Sequence, residues 1–139
     1  MSTTYRSFVD ALEALDISGV NRQYDQGPPI AQVGVADCPF QYVRYPGSDE
    51  ERAIVFGEQG GYYEMHADLV VCVEPVGQNV GPENFDDTVD MMDAVQTALQ
   101  GMGCITDSKS AWSLKKIKDT VAGQEYWAVV AQVRGYSVG

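Results

Sequence analysis

Twelve residues, Tyr63–Glu74 (YEMHADLVVCVE), constrain this chain more than any other stretch. Met65, Ala67, Leu69, Val71 and Val73 alternate with Glu64, His66, Asp68, Val70, Cys72 and Glu74. A period of two places the first set on one face of a strand and the second on the other. The first set is a core face. The second turns apolar in its middle, at Val70 and Cys72, so the far face also needs cover, for which a neighbouring subunit is one source. A sheet is therefore obligatory.

The next stretch has a different period. In Glu83–Met102 (ENFDDTVDMMDAVQTALQGM), Phe85, Val89, Met92, Val95, Leu99 and Met102 recur in steps of three and four. That spacing predicts a helix with one apolar stripe. Glu83, Asp86, Asp87, Asp90 and Asp93 crowd its first half, where the helix dipole favours negative charge. Asn84 suits the N-cap, and Gly101 and Gly103 mark the exit.

Upstream, Ser2, Thr3 or Thr4 caps a first helix of about a dozen residues, with Tyr5, Phe8, Val9, Leu12 and Leu15 as its stripe and Gly19 ending it. The span 21–39, with Gly27, Pro28, Pro29 and Pro39, reads as irregular. Phe40–Tyr45 is a short strand and Ala53–Gly57 a second. The span from Tyr45 to Tyr62 is either a long-looped hairpin or a mobile arm. Downstream, Trp112–Val121 reads as a strand with a polar face holding several of its lysines. Glu125–Tyr136, apolar on both faces in its middle, reads as a central strand. The turn at Gly123 joins these two into a hairpin. The expected fold is α+β, a single domain over residues 1–139, with two helices on one face of a mixed or antiparallel sheet.

Charge narrows the function. A net charge of −11 opposes a general phosphate-binding surface, which requires clustered Lys and Arg. Four of the nine basic residues are Lys109, Lys115, Lys116 and Lys118, so an acidic segment and a basic one sit apart in the chain. The three cysteines, Cys38, Cys72 and Cys104, show no CxxC spacing, which argues against a disulfide framework and a zinc knuckle. The first residues, MSTTYRSF, do not read as a signal peptide, and no apolar run reaches the roughly 20 residues that span a bilayer. A reducing cytoplasm, or a particle assembled there, is the expected setting.

Catalytic patterns are sparse. His66 is the sole histidine, and on a strand's polar face it reads as structural before it reads as a general base. The acids of 83–93 lack the alternating loop of calcium sites. Phosphate-cradling GxxxxGK[ST] and GxGxxG motifs are missing, as is GxSxG. Tyr24, Tyr42, Tyr45, Tyr62, Tyr63, Tyr126, Tyr136, Trp112 and Trp127 lack the interleaved basic residues of a base-stacking surface, and read as core or subunit-contact residues. The expectation is a protein without an active site and without a cofactor.

The order of segments resembles a family. An N-terminal helix with ALEAL, a Pro-rich loop (Gln26–Ile30) and CPFQYVRYPG (Cys38–Gly47) come first. Then follow an alternating strand ending in Glu74-Pro75-Val76-Gly77, the helix with DDTVDMMDAVQTAL (Asp86–Leu99) and a closing VVAQVRGY (Val129–Tyr136). This pattern is similar to the tail terminator (tail-completion) proteins of long-tailed bacteriophages, the class that includes the terminator of phage lambda. The resemblance spans nearly the whole chain and contains no catalytic motif.

It implies a structural virion protein at the head-proximal end of the tail, assembled in the host cytoplasm. Six copies would close a ring that caps the tail tube protein, stops its polymerisation and meets the head-tail connector. DNA would pass through without being specifically bound, and an acidic lining suits that. Asp86, Asp90 and Asp93, or acids of the 46–60 arm, are the candidates to face the channel or a neighbouring subunit. Lys115, Lys116 and Lys118 are their candidate partners across a ring-closing interface. Asp49, Glu50 and Arg52 in one loop, and Gln78 and Asn79 in another, are candidate docking residues. Two other classes fit the composition. One is an acidic DNA-mimic or inhibitor protein; the other is a small ligand-binding domain using His66 and nearby acids.

Overall fold

The computed structural model describes residues 4–46, 53–56, 62–77, 85–101 and 109–138. Among them, one six-stranded sheet carries strand order β1-β2-β4-β6-β5, with β3 also paired to β4. The strands are β1 (Arg22–Gln23), β2 (Phe40–Arg44), β3 (Ile54–Phe56), β4 (Tyr62–Pro75), β5 (Lys109–Val121) and β6 (Gln124–Val138). β1 runs parallel to β2 and every other pairing is antiparallel. The sheet is mixed, and with the helices α1 (Tyr5–Glu13) and α2 (Phe85–Gly101) the fold is the expected α+β.

The alternation in β4 sorts the core into two. Met65, Ala67, Leu69, Val71 and Val73 join Val129, Ala131 and Val133 of β6 in one buried cluster. Phe8 and Leu12 of α1 and Met91, Val95 and Leu99 of α2 belong to the same cluster. We call this the odd face. α1 starts where Thr4 and Ser7 form a reciprocal capping box: the Ser7 N–H donates to Thr4 Oγ1 and the Thr4 N–H to Ser7 Oγ. Beyond its end, the Leu15 carbonyl accepts from both Gln23 Nε2 and the fully buried Gln41 Nε2, which ties the helix exit to β1 and β2.

Val70 and Cys72 face the second cluster, with Phe40, Tyr42, Tyr126, Ala128 and Val130. This is the even face. Its cover is not a neighbouring subunit, as the sequence allowed, but the chain's own segment 24–38. Val33 and Cys38 are buried there and Tyr24 packs edge-on to Phe40. Tyr126 Oη locks that segment down, donating to the Val33 carbonyl and accepting from the Val33 N–H, both at 2.9 Å. Apart from a short 3-10 helix at Val35–Asp37, residues 24–38 are irregular because their prolines and glycines refuse a ladder, yet they supply the lid of half the core.

Several boundaries shifted. α1 has nine residues instead of about a dozen. β5 begins at Lys109, three residues before the expected start, and β6 extends to Val138. β6 lies between β4 and β5, the central position its two-sided apolarity predicts. Ala122 and Gly123, both with positive φ, make the hairpin turn, a conformation that suits the twist of paired strands. Residues 54–56 of the proposed arm are a strand paired with 63–65 of β4, so that part of the span is hairpin; 47–52 and 57–61 lie outside the described residues.

Candidate functional site

α2 holds the first predicted group. Asp86, Asp90 and Asp93 are all exposed, and the helix carries no basic residue. The buried line is Thr88, Met91, Val95 and Leu99, not the line of Phe85, Val89, Met92, Val95 and Leu99 that hydrophobicity indicated. Phe85 is 61% exposed and Val89 38%; Met102 lies outside the described residues, as does the Asn84 cap. The two stripes share Val95 and Leu99 and diverge toward the N-terminus, so periodicity alone does not choose between them. Contacts choose: the Trp112 indole N–H of β5 donates to Gln96 Oε1 at 2.6 Å, which sets the helix's rotation on the sheet. The result is an exposed apolar flank, Phe85 and Val89, set among acids.

β5 holds the second group, as the terminal strand of the sheet path. Its lysines divide by parity. Lys116 and Lys118 lie over the Trp127 ring at 4.5 and 5.0 Å from its centroid, a cation–π arrangement on one face. Lys115 occupies the opposite face of the strand. Lys116 and Lys118 thus share one face and Lys115 takes the other, because adjacent residues of a strand point apart. Asp86, Asp90 and Asp93 form no ion pair with Lys115 or Lys118 within the chain. The five docking residues, Asp49, Glu50, Arg52, Gln78 and Asn79, lie outside the described residues.

His66 stands at the edge of a cleft of about 280 Å³ on the even face, with Asp68, Ser113, Gln132 and Arg134 among its lining. Its Nε2 is 3.1 Å from Glu64 Oε2, and its backbone carbonyl accepts from Tyr5 Oη at 2.8 Å. Ser113 Oγ donates to Gln132 Oε1 at 3.4 Å. Among the described residues no group of His, Cys, Asp and Glu is arranged to hold a metal ion, and no helix is long and apolar enough to cross a membrane.

Sequence reasoning missed a buried polar cluster. Arg44 and Asp68 are register partners on β2 and β4, and Arg44 Nε lies 3.5 Å from Asp68 Oδ2. Arg44 Nη1 reaches Asp119 Oδ1 of β5 at 2.8 Å. Tyr42 Oη donates to Asp119 Oδ2, and Cys72 Sγ lies 3.7 Å from the same oxygen. Asp68 and Asp119 are 2% and 6% exposed. Burial first, then the bond to Asp119 and its charge, push the Tyr42 hydroxyl far above its ordinary pKa. Burial and Asp119 do the same to the Cys72 thiol, which keeps it protonated and unreactive.

This cluster also reveals the sheet's shape. Two strands, β4 and β6, separate β2 from β5. In a flat sheet that is a span of roughly 14 Å, beyond the combined reach of a Tyr and an Asp. The direct Tyr42–Asp119 bond requires the sheet to curl over its even face. A register shift between Cys72 and Glu74 gives β4 the local bend that such curling uses. No sequence signal short of the fold itself could have found Asp119, which reads as one more polar residue in a lysine-rich strand.

Comparison with protein-family models yields no match, and comparison with curated proteins yields none either.

Proposed function

We propose that this chain is a ring-forming tail terminator: copies close head to tail on the end of a phage tail tube, stop its growth and offer a joining surface to the head side. The resemblance in segment order supplies the family. The observation that carries the reading is the outer flank of α2, where exposed Phe85 and Val89 sit among Asp86, Asp90 and Asp93. An apolar centre with a charged rim is the anatomy of a protein contact. A heterologous contact also needs a second, different surface on the same subunit. The terminal strand β5, with Lys115 and Lys118 exposed, offers one of opposite sign. Lys116 is less exposed and stacks on Trp127.

The test is charge reversal. Asp90→Lys with Asp93→Lys is expected to leave a folded subunit that no longer caps tail tubes in negative-stain images. The wild-type chain is expected to cap them, with a ring mass of about 90 kDa for six 15.2 kDa copies, in solution or on the tube. Failure of the wild-type chain to associate with tubes would overturn the reading. A second reading, small-ligand binding, draws on the cleft beside His66; a charge-reversed α2 would leave that activity untouched.

A further inference from the structure

We propose that the groove between α1 and residues 25–28 is a receptor for an arginine side chain presented by a partner protein. The groove encloses about 960 Å³, with Val9 and Val43 on its apolar wall and the rings of Tyr5 and Tyr45 beside them. Those rings are parallel, 1° between planes, with centroids 6.5 Å apart, and Tyr45 is 74% exposed. Two parallel aromatic faces at the lip of an apolar groove suit a flat, weakly hydrated cation with an aliphatic stem.

The charge in the groove has a surplus. Arg6 and Arg44 both line it, but each is engaged elsewhere. Arg6 lies 3.8 Å from Asp10, one turn along α1. Arg44 is held by Asp119 and Asp68 of the buried cluster. That leaves Glu13 and Asp25, also in the lining, with no ion pair among the described residues. Glu13 is 8% exposed. A carboxylate taken that far out of water is costly unless a cation and donors meet it. Here the donor is the backbone N–H of Gly27, and the cation whose charge reaches Glu13, Arg6, is shared with Asp10. Burial, then the charges of Asp10 and Asp25, raise the Glu13 pKa, while the Gly27 N–H and Arg6 lower it.

Gly27 is set by its backbone rather than by crowding: its φ of +79° is open to glycine, while a Cβ there would meet the Val43 carbonyl oxygen at an ordinary 3.9 Å. The loop lies down over β2 and brings Asp25 and the Gly27 N–H to Glu13. A guanidinium fits this end because its fork of N–H donors meets carboxylates in pairs, where an ammonium acts as a point charge. A bare metal ion is the poorer occupant, since no metal-holding group exists among the described residues. This inference concerns a different surface from the α2 flank and does not depend on ring formation.

The experiment is an amide-resolved NMR titration of the full chain at pH 7 with the blocked tripeptide Gly-Arg-Gly. Its lysine and norleucine counterparts serve as controls. The expected result is saturable shifts at Val9, Gly27 and Tyr45 in the millimolar range, several-fold weaker binding of the lysine peptide, and none of the norleucine peptide. Glu13→Gln is expected to weaken the arginine peptide by about tenfold, the loss of one charge-assisted pair. Asp25→Asn, an exposed change that spares the fold, is expected to weaken it several-fold. Absence of shifts at Gly27, equal binding of the arginine and norleucine or lysine peptides, or wild-type affinity in both variants overturns the proposal.

Discussion

Asp119 is the residue whose removal tests the tertiary argument most directly. Asp119→Ala deletes the acceptor of two buried bonds at once, from Tyr42 Oη and from Arg44 Nη1. Breaking a buried ion pair by removing one partner costs about 3–5 kcal/mol, because the other charge stays behind. Arg44 keeps Asp68 at 3.5 Å and its side chain is 25% exposed, so the charge left behind is partly met. That places the ion-pair part near the lower end, about 3 kcal/mol. The Tyr42 hydroxyl, 1% exposed as a residue, loses its acceptor and adds about 1 kcal/mol. Tyr42→Phe alone removes a bond to a charged group, about 2 kcal/mol. The two changes share one bond, so the double variant should fall short of additivity by about 1–2 kcal/mol. Urea denaturation of the four chains in the cycle measures all three quantities. If Asp119→Ala costs under about 1 kcal/mol, or the two changes add, the curled sheet and its polar clasp are wrong.

The remaining predictions address the helix, the groove and the loop. Leu99→Ala should cost about 2–5 kcal/mol in denaturant unfolding, since Leu99 is fully buried, whereas Val89→Ala should fall within about 1 kcal/mol of wild type; equal losses would restore the hydrophobicity-based stripe. Phe85→Ser with Val89→Ser should leave the unfolding midpoint of the monomer unchanged and abolish capping of tail tubes. Glu13 titrates above its ordinary 4.5 in the folded chain, so the folded state holds its proton longer than the unfolded state does. The stability that proton gives is complete below 4.5 and is lost as pH rises through the raised folded value. Glu13→Gln should therefore gain on the wild type between acid and neutral pH, read from paired denaturation curves; a constant difference across that range would contradict the shift. Gly27→Ala, forced into a positive φ, should destabilise by about 1–2 kcal/mol and weaken the arginine-peptide shifts.

Periodicity was a good guide wherever one face of an element met one environment. In β4, the residues assigned to the core face all join the one cluster under the two helices, because a strand's period of two allows a single partition. In α2 the same reasoning found the helix and misplaced its N-terminal face, because two stripes overlap on a 3.6-residue period and only the sheet decides between them. The charged residues show the same divide. Asp86, Asp90 and Asp93 are exposed as the sequence implied, but the three lysines split across two faces of β5 once adjacent positions of an extended strand point apart.

The chain's local chemistry by itself determined the class of fold, the capped first helix, the central place of β6 and the acidic outer helix. Each of these depends on contacts or preferences a few residues apart. Tertiary structure alone decided what covers the even face, how the sheet curls, and which acids are buried. Val33 and Tyr126, Tyr42 and Asp119, and Arg44 and Asp119 are pairs separated by 93, 77 and 75 positions. No local pattern encodes such pairs. They form because a buried hydroxyl, carboxylate or guanidinium must find a partner wherever the closed sheet brings one within reach.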